Sequence, residues 1–314
     1  MHLAVLLWGF TGVLGRAISL TAPVLVWYRM LMTAVFMAVI LVYRKQWIKP
    51  QPRDMRQLAI IGSLMGLHWV AFYGAIQLAN ISIALVCLST ASVFTSLLDP
   101  LVNKGKHDVQ EMMLGCLAIV GVYLIYRFQQ FYGAGIACGV TAAILSSVFT
   151  VLNKKISNKY PSRTMVFYEM AAGWLFISLL MPVLFHYAPQ TNFLPSSPNI
   201  FSTAWLHNDW LWLILLSLCC TVWAQSLALN ALKRLSSFTV TLSVNLEPVY
   251  GILLAFLFYN ENKEIIFNKG TQDLNWGFIS GMGLILLSVA LQMLRLLKPK
   301  FATAGYIKEK GGID

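Results

Sequence analysis

Three ionisable side chains stand inside stretches that are otherwise apolar: Arg29 in APVLVWYRMLMTAV, Glu169 in TMVFYEMAAG and Glu247 in LSVNLEPVYGILL. A charge at the centre of a bilayer costs about 2.5 to 3.5 kcal/mol on insertion scales, so these three call for a reason before any apolar residue does. Pro248 follows Glu247; it lacks a backbone N–H and clashes with the carbonyl four residues back, which frees acceptors locally. Together with Ser243 and Asn245 this makes a polar, broken segment. There Glu247 either carries a coupling proton or meets a cationic part of a solute, and the plainer reading is an interhelical bond that fixes packing. Arg29 lies about six residues inside Pro23, roughly 9 Å along a helix. It is expected either to snorkel toward the headgroups as an anchor or to act with Glu169, Glu247 and Pro248 in coupling and gating.

A second group mixes aromatic and polar side chains. The run GLHWVAFYGAIQLAN brings His68, Trp69, Tyr73 and Gln77 onto neighbouring faces of one helix, and Trp223 and Gln225 come from a later one. A small-molecule site wants apolar and aromatic walls with a few aimed polar groups, so these six and Asn245 are candidate cavity residues; packing or an interfacial aromatic belt is the competing reading. No metal is expected, since His68 has no second ligand at suitable spacing and the five cysteines do not repeat a CxxC pattern. No cofactor is expected either. The chain contains no GxxxxGK[ST], HExxH or GxSxG, motifs that would point to ATP, zinc or serine chemistry.

The elements that position these residues are legible from composition. Apolar residues make up 58% of the 314 and charged ones 11%, whereas a soluble domain is charged at about a quarter of its positions. The apolar residues fall into blocks of about 20, the length that crosses roughly 30 Å of hydrocarbon. Spans are expected near 2–20, 22–43, 57–78, 81–102, 110–127, 132–153, 163–186, 209–231, 236–258 and 275–296, ten in all. The first reads as a retained helix rather than a signal peptide, because no basic stretch precedes it. The net charge of +11 lies in short connections rather than on one polar face, which argues against nucleic acid. Eighteen Lys and Arg fall on the side of the 44–57, 103–108, 154–163 and 233–234 connections and the C-terminal tail, against Arg16, Arg127, Lys263 and Lys269 on the other. That places both termini in the cytoplasm of a multi-pass protein of the inner membrane.

The halves repeat one another. GFTGVLGRAIS (9–19) lies over SVFTVLNKKIS (147–157), VWYRM (26–30) over VFYEM (166–170), and SVFTSLL (92–98) over PVYGILL (248–254). Ser63, Leu64, Trp69 and Leu78 match Ser217, Leu218, Trp223 and Leu232, and Gly115 and Gly121 match Gly277 and Gly283. The order is collinear, and five spans per half force the second copy upside down. Inverted repeats are a common design of secondary transporters, which hold substrate near the midplane between the halves. Arg29 and Glu169 are equivalent in the two copies, so inversion puts them near opposite faces and argues against an ion pair. Gly62 and Gly66 form a GxxxG suited to close helix approach.

With Trp8-Gly9-Phe10 in the first span, Tyr28-Arg29 in the second and Asn245 to Tyr250 in the ninth, followed by Glu261, the chain resembles the drug/metabolite transporter superfamily, specifically its EamA family. It departs where Asn260 stands for the usual Gly before the second Glu, and where Ala91-Ser92 replaces Glu-Pro in the first half. The resemblance implies an all-α integral membrane fold of ten transmembrane helices in two inverted five-helix repeats, 1–130 and 131–297, with a cytoplasmic tail at 298–314. Spans 1, 3, 4, 6, 8 and 9 would enclose the cavity, with 5 and 10 outside. The function it implies is secondary transport of small organic metabolites, amino acids or related solutes or drugs, outward and coupled to protons or exchange. The partners are a small-molecule substrate and the lipid bilayer, and a homodimer is compatible. The alternative is a membrane enzyme acting on a lipid-linked or small-molecule substrate.

Overall fold

The computed structural model describes residues 1–103, 107–126, 132–187, 193, 195, 208–259 and 275–310. Among them every regular element is a helix, as a chain in hydrocarbon requires if each backbone group is to be bonded within its own segment. In chain order these are α1 (His2–Ala17), α2 (Ala22–Tyr43), α3 (Pro52–Leu78), α4 (Ile81–Ser89), α5 (Ala91–Asn103), α6 (Val109–Tyr126), α7 (Gly133–Ile156), α8 (Ser162–Tyr187), α9 (Asp209–Ser217), a π-helical turn (Leu218–Trp223), α10 (Ala224–Leu232), α11 (Ser237–Val244), α12 (Glu247–Tyr259) and α13 (Trp276–Lys310). Lys104, Lys106, Arg127, Asn260, Glu261, Lys263, Lys269 and most of the 187–208 connection lie outside the described residues.

Among the described residues eight stretches are long and apolar enough to cross a membrane, and two more, His2–Ala17 and Val109–Gly121, are apolar but shorter. These two fall on the first and fifth of the ten expected spans. The 16 residues of α1 rise only about 24 Å, short of a typical hydrocarbon core.

Among the described residues three crossings are interrupted. Between α4 and α5 the Thr90 N–H bonds to the Cys87 carbonyl at 3.1 Å; between α11 and α12 the Asn245 and Leu246 N–H groups bond three residues back, at 3.1 and 3.2 Å. Both are tight 3₁₀-type turns, and the second stands just before Pro248. The third is the π turn, where the Thr221 hydroxyl donates to the Leu216 carbonyl at 3.2 Å.

Helices approach closely where side chains are absent. A Cβ on Gly62 would stand 2.0 Å from the Glu169 carbonyl oxygen, and one on Gly173 would stand 2.5 Å from the Gly62 carbonyl, so α3 and α8 touch backbone to backbone. Gly9 of α1 is crossed by Tyr250 of α12, and Gly121 of α6 by the Gly281 carbonyl of α13. Large apolar side chains such as Val39, Leu179, Leu257 and Leu294 remain exposed around the bundle, as a lipid-facing surface needs.

The two ends differ in chemistry. At one, Asp54 accepts from Lys159 (2.8 Å) and Tyr160 (2.9 Å), and Lys154 donates to the Leu232 and Leu235 carbonyls, both at 2.7 Å. At the other, Asp209 accepts from the Ser19 N–H and hydroxyl at 2.8 and 2.6 Å.

Candidate functional site

A narrow cavity lies where the interrupted crossings meet. It is lined from α1 by Trp8 and Thr11, from α2 by Arg29, from α3 by Met65, His68, Trp69 and Phe72, from α4 and α5 by Leu88 and Ala91, and from α7 by Ser146, Phe149, Thr150 and Asn153. α10 adds Gln225, Ala228, Leu229 and Leu232; α11 and α12 add Val240, Thr241, Val244 and Glu247. These walls come from the expected spans 1, 3, 4, 6, 8 and 9 together with span 2, which supplies Arg29, and neither α6 nor α13 contributes. The space open to water centres is about 80 Å³, enough for a few waters.

Arg29 is 1% exposed, so the expectation of an interfacial anchor does not hold. Its guanidinium is held in place: Nε donates to Thr221 Oγ1 (2.8 Å), Nη1 to the Tyr73 hydroxyl (3.0 Å) and Nη2 to the Cys220 carbonyl (3.3 Å). The Trp69 ring covers it at 3.9 Å from the centroid, a cation–π contact. The π turn makes this possible, because a widened turn leaves carbonyls without their i+4 partners. The Cys220 carbonyl takes the Trp8 indole N–H (3.1 Å) as well as Arg29. Three of five guanidinium N–H groups are thereby engaged, leaving two for a ligand.

Glu247, 5% exposed, opens α12 on the cavity wall. Arg29 and Glu247 share the cavity without an ion pair within 4 Å. His68 Nδ1 lies 2.7 Å from the Ala142 carbonyl. A carbonyl only accepts, so Nδ1 carries the proton and Nε2 is left as an acceptor. The ring packs on Phe72 and Phe149.

The other expected residues are distributed around this centre. Gln225 lines the cavity and its amide meets Met65 Sδ at 3.9 Å. Tyr73 sits behind the wall, holding Arg29. Asn245 bridges the two helix breaks, donating to Ser92 Oγ at 3.2 Å, while its Oδ1 has no partner. Glu169 is completely buried on α8 beside the Asn153 side chain and is not on the wall. Two residues are placed elsewhere. Gln77 is exposed at the end of α3, accepting from the Ala22 N–H and donating to the Leu20 carbonyl, both at 3.2 Å; Trp223, 59% exposed, faces outward. Thr11, Met65, Phe149, Thr150, Asn153 and Thr241 carry no mark in the sequence that singles them out, and neither does Thr221. Matching the repeats offers one signal, since Phe149 and Ser146 correspond to Thr11 and Trp8.

One guanidinium, one carboxylate, an imidazole and aromatic side chains thus surround one central space. A solved crystal structure superposes with a TM-score of 0.67 over 93% of this chain and 94% of its own, at 16% identity, which speaks to the fold alone. An uncharacterised transporter of Archaeoglobus fulgidus is 23% identical over 247 residues, 76% of this chain and 80% of that one. The uncharacterised transporter YxxF of Bacillus subtilis is also 23% identical, over 266 residues, 82% of this chain and 80% of its own. The model of the EamA-like transporter family matches residues 1–127 and again 133–294. With nearly the whole chain covered by those two matches, the protein belongs to the EamA-like transporter family.

Proposed function

We propose that the protein is a secondary transporter that exports small zwitterionic metabolites, amino acids in the first place, across the cytoplasmic membrane by alternating access. The observation that carries this is the placing of Arg29 and Glu247 on one central cavity without their pairing to each other. A substrate carboxylate fits the two remaining N–H groups of Arg29, its ammonium fits Glu247, and the side chain lies among Trp69, Phe72 and Phe149. Glu247 also serves as the coupling group, binding the ammonium in one state and a proton in the other.

The proposed architecture is ten spans in two inverted halves, 1–130 and 131–297, with both termini in the cytoplasm. Two successive family matches support it. So do the cavity walls, where matched residues of the halves contribute in pairs: Trp8 with Ser146, Thr11 with Phe149, Leu88 with Val244, and Ala91 with Glu247. Alternating access requires the two halves to part and close around this space as substrate enters and leaves.

Counterflow of amino acids into liposomes holding the purified protein tests the reading. Glu247→Gln is expected to abolish pH-gradient-driven flux while the protein remains inserted. Normal driven flux by that variant rejects the proton role, and chemical turnover without translocation rejects transport.

A further inference from the structure

A second, larger recess lies away from the central cavity, at the end of the bundle where Asp54 meets Lys159. Its volume is about 1090 Å³. Its floor is apolar, with Leu3 and Leu7 of α1, Met37 and Ile40 of α2, and Trp223 and Leu227 from the π turn and α10. Its rim carries Arg44, Lys45, Arg163 and Lys233 and no carboxylate. Among the described residues none of these four meets an acid within 4 Å: Arg163 donates to Gln46 Oε1 (3.1 Å) and Lys233 to the Tyr160 carbonyl (3.1 Å). Lys45 is held in the left-handed region, φ 52°, where a helix C-terminus ordinarily has Gly. Gln46 N–H bonds to the Leu41 carbonyl and Lys45 N–H to the Val42 carbonyl, so the turn is closed with a cation at the position that disfavours a side chain.

Depth decides the chemistry. Arg44 directly follows the α2 crossing, so the cations sit at headgroup level, with Trp47 beside them as an interfacial aromatic. Below them the apolar floor runs into the lipid-facing surface. A phosphate with two hydrocarbon chains has this shape and charge, and a soluble anion would leave the floor uncovered.

We propose that this groove is a binding site for one anionic phospholipid of the adjoining leaflet. Its phosphate lies among Arg44, Lys45, Arg163 and Lys233, and its acyl chains lie along Leu7, Met37, Ile40 and Leu227. The lipid joins α1 and α2 to α8 and α10, so it is a structural link between the two matched parts of the chain. The site is independent of which solute the central cavity carries.

Native mass spectrometry of the detergent-purified full chain, incubated with phosphatidylglycerol or phosphatidylcholine of identical chains, tests it. Retention of phosphatidylglycerol over phosphatidylcholine is expected, weakened roughly fivefold per cation removed in R44A/K45A and in R163A/K233A. The exposed pair R53A/R56A on α3 is expected to bind as the wild type does. Equal retention of both lipids, equal loss in R53A/R56A, or displacement by inorganic phosphate at the concentration of the lipid overturns the proposal. Should a groove variant not fold, the wild type alone decides: brominated-chain phosphatidylglycerol must quench tryptophan fluorescence more than brominated phosphatidylcholine, and equal quenching also overturns it.

Discussion

Arg29 is restrained from three directions, by a hydroxyl of the π turn, a phenol of α3 and an indole face. Arg29→Ala removes charge-assisted bonds that contribute about 1.5 to 3 kcal/mol each, and is expected to weaken substrate counterflow by roughly 10- to 100-fold in apparent affinity. Arg29→Lys keeps the charge but loses the planar fork and should fall between; a lysine variant equal to wild type would mean that charge alone matters. Arg29 and Glu247 are legible in the sequence because the cost of a charge in an apolar run marks them. The surroundings of Arg29 are not, because an arginine that snorkels and one that is caged have the same sequence neighbourhood. Trp223 departs from expectation for a separate reason: it stands in the π turn, and a helix that widens by one residue shifts the facing of its later residues by about 100°. Gln77 has the right spacing from Tyr73 for the cavity, but it lies at the last turn of α3, where backbone groups of the α1–α2 connection compete for its amide.

Among the elements, the α3–α8 contact has the least room to give. Gly62→Ala would drive a methyl into the Glu169 carbonyl, and overpacking of this kind costs about 1 to 3 kcal/mol; a lower thermal unfolding midpoint in detergent is the expected result, with an unchanged midpoint counting against the contact. The GxxxG spacing announces this approach, although only the structure supplies the partner helix. Asp108, just before α6, is a second joint. Burial works to raise its pKa, but Arg295 of α13 and the Glu111 and Gln110 N–H groups outweigh it and hold the carboxyl below its ordinary value. A depressed pKa stabilises the folded state above the unfolded-state pKa, and the contribution disappears as pH falls through the folded one. Asp108→Asn should therefore lower the unfolding midpoint at pH 7, and the difference from wild type should close as the medium is acidified through the depressed pKa. Helix boundaries are legible to within a few residues along most of the chain. The breaks at Thr90 and Asn245 are half legible: Pro248 signals the second, whereas nothing comparable stands at the first.

For the whole molecule, the basic end and the opposite end specify a testable topology. Reporter fusions in the 44–51 and 157–161 connections should both read as cytoplasmic, and a split result would dismantle the inverted halves along with the roles of Arg29 and Glu247. Charge asymmetry carries this expectation because it lies in loops, whose composition needs no tertiary information. The width of the central space is not foreseeable from sequence, since it depends on how the walls pack. The π turn bears on all of it. A π-helical segment differs from an α-helical one by a single surplus residue, so deletion of one codon within 218–223 would let the helix close on itself. The Cys220 oxygen would then be claimed by its own ladder of hydrogen bonds, and Trp8 and Arg29 would lose a shared acceptor in one event. Two crossings are thus tethered to one peptide carbonyl 212 and 191 residues away in sequence, and the tether is open to loss or gain by the smallest in-frame deletion or insertion a gene can undergo.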